Sequence, residues 1–152
     1  MQLVAVDPGK RTIALAVFDQ SKKTMIGCQL TVLDGVRNFF IDARRTHTQV
    51  LIERPQVYLH QKLKGDPNDL IDVAIAVGQV AEMALANGCT VDSVLPRQWK
   101  GQRPKEVDNK VTLDHMFPHE RHLLSRCGVI KSKRHNVLDA IGIGLWKLGR
   151  RP

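Results

Sequence analysis

The sequence predicts an α/β fold, a mixed sheet of five strands covered by helices. Three observations carry this. The chain of 152 residues begins with three extended apolar stretches separated by short turns. After them, extended and helical stretches alternate. No apolar run reaches the ~18 residues that a membrane span requires, so no helix reads as a membrane span. Hairpin-linked strands pair antiparallel, whereas strands separated by a helix pair parallel, so one sheet holds both kinds.

Each element has its own signal. Residues 2–7 are almost wholly apolar up to Asp7, the pattern of a strand buried on both faces. Asp7-Pro8-Gly9-Lys10 reads as a turn in which Pro8 fixes φ and Gly9 supplies freedom. Residues 12–18 are β-branched and aliphatic and return antiparallel. Residues 24–32 give a third strand, and 35–46 a helix. The fourth strand is TQVLIE, 48–53, again apolar and again ending on an acid, Glu53. Gly65 and Pro67 among polar residues make 54–68 a loop. A helix follows over 69–87, with Asp69 as N-cap and Asn87-Gly88 as its stop. Only Asp72, Gln79 and Glu82 clearly interrupt its apolar face. That face is wider than one sheet can cover, which predicts a second partner surface, another subunit. Residues 89–96 form a fifth strand ended by Pro96. A helix over 104–117 is closed by Pro118, and a last helix spans 135–148. The order β-β-β-α-β-α-β-α-α is that of the RNase H-like fold, here one domain over 1–152, with the first and fourth strands side by side and parallel.

The formal charge of +8 and a pI of about 9.8 favour a polyanionic partner. Residues 97–134 concentrate this charge, with ten Lys and Arg against four acids. Loops there would hold phosphates and set register without reading sequence. The three cysteines, Cys28, Cys89 and Cys127, form no CxxC pair and read as reduced thiols. The N-terminus shows no basic-then-apolar leader. The expected location is therefore cytoplasmic, in a bacterial cell or a phage-infected host, with no membrane partner. His115, His119, His122 and Cys127 match no usual zinc spacing. Trp99 reads as a packing anchor.

The acids carry the chemistry. Asp7 and Glu53 end two adjacent strands, about 4.8 Å apart, where open α/β sheets build their sites. Asp139 lies early in the last helix between apolar neighbours, Val137, Leu138, Ala140 and Ile141, which turns it toward the protein. Like charges ~4 Å apart at an effective dielectric of ~20 cost roughly 4 kcal/mol per pair. Either a proton or a cation must sit among them, and hard oxygen ligands suit Mg²⁺ or Mn²⁺.

Taken in order, VDPG with its hairpin, IE ending the fourth strand, VGQV in the next helix and DA in the last helix resemble the RuvC-type Holliday-junction resolvases, with the phage and poxvirus branch nearest. DPG alone carries little; the ordered set spans nearly the whole chain. The resemblance implies a homodimeric endonuclease that nicks four-way DNA junctions at two symmetric phosphodiesters, leaves 5′-phosphates and uses divalent metal, two ions per active site. It also implies that Asp7, Glu53 and Asp139 are metal-binding carboxylates. The family often has an acid or histidine three residues before the last Asp. Here Asn136 stands there, a neutral ligand, with His135 one helical turn from Asp139 as a further catalytic candidate. Resolvases of this kind place an aromatic wedge soon after the Glu, which would be Tyr58. Lys10 and Arg11 in the first turn, Arg97 and Lys100 after the fifth strand, and Lys131, Lys133 and Arg134 before the last helix are the expected DNA contacts. Rival readings are a non-catalytic junction-binding module, in which Asn136 marks a decayed site, and an RNase H-like nuclease acting on RNA or other branched DNA. An actin-like ATPase domain is excluded by length and by the lack of a second phosphate loop.

Overall fold

The computed structural model describes residues 1–43, 47–57 and 66–152. Among these, five strands form one sheet: β1 (Gln2–Pro8), β2 (Ile13–Asp19), β3 (Thr24–Thr31), β4 (Thr48–Glu53) and β5 (Thr90–Val94), in the order β3-β2-β1-β4-β5. The hairpins pair antiparallel, while β1–β4 and β4–β5 are parallel, as the connections dictate. The mixed sheet and the side-by-side first and fourth strands are as expected from the sequence.

The helices are α1 (Leu33–Ala43), α2 (Pro67–Ala86), α3 (Pro96–Trp99), α4 (Lys105–Asp114), α5 (Pro118–Arg126) and α6 (Arg134–Lys147), the last preceded by a 3-10 turn at Lys131–Lys133. Several expectations need correction. The helix over 35–46 begins two residues earlier, at Leu33. Asp66, not Asp69, caps α2: it is extended, and its carboxylate accepts from the Asn68 amide at 2.9 Å. Pro67 then takes the first helical position, where a missing N–H costs nothing. Pro96 and Pro118, expected to end elements, each open one instead, α3 and α5. The first turn also differs in its reason. Pro8 belongs to β1, opposite Ile13. Gly9 is needed for space rather than for positive φ: its amide bonds to Thr12 O at 2.9 Å, and a Cβ would lie 2.7 Å from that same oxygen.

Strand side chains alternate between faces, and the core accordingly has two layers. Leu3, Ala5, Ala14, Ala16, Phe18, Leu51 and Val94 face α6, with Trp99 and Leu124 packed among them. Val4, Val6, Leu15, Val17, Val50 and Ile52 face the other way, against α1 and α2. On the first side α6 is buried from Val137 through Leu145. It approaches so closely that a methyl at Gly144 would overlap the Phe18 ring. The fully buried Glu120 ties α5 to β3. Its oxygens accept from the amides of Met25 and Phe117 at 2.7 and 2.8 Å and from both terminal nitrogens of Arg150 at 2.6 and 2.9 Å. These bonds hold its carboxyl below the usual range against the opposing effect of burial.

Candidate active site

Strand phase decides where the acids point. Asp7 follows Leu3 and Ala5 on one face of β1, and Glu53 follows Leu51 on the same face of β4; that face is the one α6 covers. The parallel register runs to Val6 opposite Ile52, so one more step sets Asp7 beside Glu53. Asp139, 8% exposed, comes down from α6 above them.

The electrostatics are those of a crowded acid trio. Asp7 retains some surface exposure, yet its carboxyl is desolvated. That burial, with the charges of Glu53 and Asp139, pushes it well above the normal Asp range. Burial also raises Glu53 and Asp139, and each is partly relieved by lysine. Lys100 Nζ lies 3.8 Å from Glu53 Oε2, and Lys105 Nζ lies 3.7 Å from Asp139 Oδ2. The Trp99 indole N–H also donates to Glu53 Oε2. His135 adds a smaller positive influence on Asp139, one turn away.

Three carboxylates with open oxygen positions are a hard donor set of the kind that Mg²⁺ or Mn²⁺ takes. The fit is one of chemistry rather than of finished geometry. Among the described residues, no three His, Cys, Asp or Glu side chains stand close enough to share one ion. Glu53 and Asp139 are turned instead toward Trp99 and the two lysines.

The other expected residues fall in different places. Lys10 is engaged by α2, with its ammonium 2.7 Å from Asp69 Oδ1 and 3.1 Å from Asp72 Oδ2. Arg11 and Arg97 are exposed. Lys131 and Lys133 are exposed on the turn that leads into α6, and Arg134 is half-buried at its start. Asn136 is half-buried beside His135. Tyr58 lies outside the described residues, as does most of the loop that follows Glu53. Of the residues set aside from a zinc site, His119 Nε2 shares a hydrogen bond of 2.7 Å with Thr24, and the Cys127 thiol donates to Leu124 O at 3.0 Å.

Sequence reasoning missed Lys105, the Trp99 donor and Asp108, whose buried charge acts on both Glu53 and Asp139. Lys105 had a signal: a cation in the first turn of a helix opposes the macrodipole and calls for an outside partner. Trp99 and Asp108 had none, since their partners lie across the fold.

No family model and no curated protein matches this chain. Solved structures do. RuvC of Thermus thermophilus in complex with a Holliday junction substrate is 18% identical with a TM-score of 0.64, covering 96% of this chain and 92% of its own. A second Thermus thermophilus RuvC structure is 20% identical with a TM-score of 0.63 and the same coverage. The yeast mitochondrial Holliday junction resolvase Ydc2 is 12% identical with a TM-score of 0.56, covering 97% and 80%. With the sheet order, the parallel β1–β4 pair and α6 laid across them, these likenesses give the chain the RuvC-like form of the RNase H-like fold.

Proposed function

We propose that this chain, as a single nuclease domain, is a divalent-metal-dependent endonuclease that nicks branched DNA, four-way junctions foremost, as a homodimer. One observation carries the reading: three desolvated carboxylates from β1, β4 and α6 are each raised by burial and further by like charge, with two lysines against them. Such a trio costs stability and has no packing use, which is the mark of a site arranged for cationic and anionic ligands. The likeness to junction resolvases supplies the substrate class.

A bound Mg²⁺ or Mn²⁺, or a pair of them, would activate a water and stabilise the leaving oxygen of a phosphodiester. Asp7, Glu53 and Asp139 would hold it, with Asn136 offering a neutral oxygen at the margin. Were Glu53 and Asp139 to hold such a cation, Lys100 and Lys105, which now lie against them, would be left to neutralise the phosphate. His135, one turn from Asp139, is placed to carry a proton. Arg97, Lys131 and Lys133 hold flanking phosphates, which positions DNA without reading its sequence. Two symmetric nicks need two sites at a fixed separation, and α2 offers the surface for a two-fold partner, with Ile71, Ile75 and Leu85 exposed along it.

A second reading, a junction-binding module that does not cleave, is favoured by the lysines already neutralising Glu53 and Asp139. Single-turnover cleavage of a synthetic four-way junction, beside duplex, flap and RNA–DNA hybrid, with Mg²⁺ or with chelator, separates the readings. Paired nicks confined to the junction, dependent on metal and lost in D7N, E53Q and D139N while binding persists, are expected. Binding without cleavage under every metal condition would establish the second reading. Equal cutting of all substrates would make the chain a general nuclease.

A further inference from the structure

After α6 the chain turns back, and Arg151 packs against α3 and α4. Arg151 is 4% exposed, and its guanidinium is fully engaged at the tip. Nη1 donates to Thr112 Oγ1 at 2.6 Å, and Nη2 donates to Asp108 Oδ1. The same guanidinium carbon lies 5.0 Å from the centre of the Trp99 ring. Trp99 is 1% exposed, and its one polar atom is spent on Glu53 Oε2. Gly142 of α6, three residues past Asp139, closes the arrangement. A Cβ there would lie 2.5 Å from Arg151 Nη1, 2.7 Å from Trp99 Cζ3 and 2.9 Å from Thr112 Oγ1.

Simple packing does not require this construction. A buried Arg–Asp pair often contributes less than apolar residues of the same volume, and this one leaves Asp108 Oδ2 and Arg151 Nε without a hydrogen-bond partner among the described residues. A phenylalanine would fill most of the space of Trp99 without needing an acceptor. What the arrangement does provide is a fixed direction for the indole N–H. An indole is a donor only. Packed against Arg151 and Gly142, the ring gives that donor to Glu53 Oε2.

We infer that Trp99 is a positioning residue for Glu53, and that Arg151, bound to Asp108 and Thr112, holds Trp99 from behind. One oxygen of the Glu53 carboxylate, Oε2, accepts the hydrogen bond from the indole N–H, which fixes the plane of the group and leaves Oε1 to act as a ligand. Groups that orient a ligand in this way typically change metal affinity or activity ~10–100-fold when removed. The inference rests on the reading of Asp7, Glu53 and Asp139 as a metal-dependent cleavage site.

The test is Mn²⁺ binding to the whole protein without DNA, read from the free-ion EPR signal, with near-UV circular dichroism to check the fold. Four proteins are compared: wild type, W99F, E53Q and W99F/E53Q. W99F keeps the ring and loses the N–H. It should weaken Mn²⁺ binding about tenfold or more, and add little in the E53Q background. Affinity within about twofold of wild type in W99F, while E53Q falls, would make Trp99 a packing residue and overturn the inference. Unchanged affinity and unchanged cleavage in E53Q would instead remove the active-site reading beneath it. Should W99F lose its fold, R151M and R151K answer the same question, since neither touches Glu53. The lysine keeps a cation beside the ring and should recover most of the affinity that the methionine loses; equal affinity in the two overturns the inference.

Discussion

Asp7 shows how a single residue can hold a fold and a site in tension. Its carboxyl titrates above the usual Asp range because burial, then Glu53 and Asp139, disfavour its charge. A raised folded-state pKa means that the folded protein binds the proton more tightly than the unfolded chain does. Stability from this group is therefore complete at acid pH and is lost as pH rises through the folded pKa. In chelator at neutral pH, D7N should melt at a higher temperature than wild type, and the gap should shrink as pH falls. Equal melting temperatures from the ordinary Asp pKa of about 4 up to about pH 8 would mean that the Asp7 charge costs nothing. Asp7, Glu53 and Asp139 were legible in the sequence because strand ends and a buried helix acid are local patterns. Trp99 was legible only as a large apolar body. Its N–H finds its acceptor 46 positions away in sequence, at the end of β4, and no local pattern encodes such a pairing.

At the scale of elements, the proline positions explain most of what the sequence misled on. Pro96 and Pro118 carry two messages, a stop for the preceding element and a fixed φ suited to the next one. Reading only the first hid α3 and α5. The strands were legible nearly to the residue, because β-branched runs bounded by turn residues have few alternatives. The α6 helix makes a sharper point. Its glycines lower helix propensity by about 1 kcal/mol each relative to alanine, so propensity alone favours G144A. Packing favours the reverse, since the new methyl would overlap the Phe18 ring. Overpacking of this kind costs about 1–3 kcal/mol, so G144A should lower the urea midpoint; a midpoint raised by the substitution would show that α6 has room to move. On α2, Ile71, Ile75 and Leu85 remain more than half exposed, at 58%, 55% and 59%. I75E should shift the sedimentation coefficient from dimer to monomer at micromolar concentration while leaving circular dichroism unchanged. A wild-type monomer at the same concentration, with and without junction, would take the interface away from α2.

For the molecule as a whole, charge and topology act together. Most of the net +8 lies along the segment that follows β5 and runs into α6, where ten Lys and Arg stand against four acids, so DNA affinity should fall steeply with salt. Each lysine that contacts a phosphate contributes about one unit to the slope of log K against log salt. K131A/K133A should flatten that slope by about two and weaken binding to junction and duplex alike, whereas K10A should change it little, because Lys10 is already paired with Asp69 and Asp72. An unchanged slope in K131A/K133A would move the DNA track elsewhere.

The order in which the chain supplies its acids has a consequence in time. Asp7 and Glu53 become neighbours as soon as β4 docks on β1. Lys100 and Lys105 come next, and Asp139 arrives only when α6 lies down across the sheet. A chain emerging from the ribosome thus carries two of the three acids before the third is in place, and the trio is complete only once α6 has packed. If the trio cleaves as proposed, a chain folded only as far as β4 would leave nearby nucleic acid uncut, and any event that lifts α6 would return it to that state.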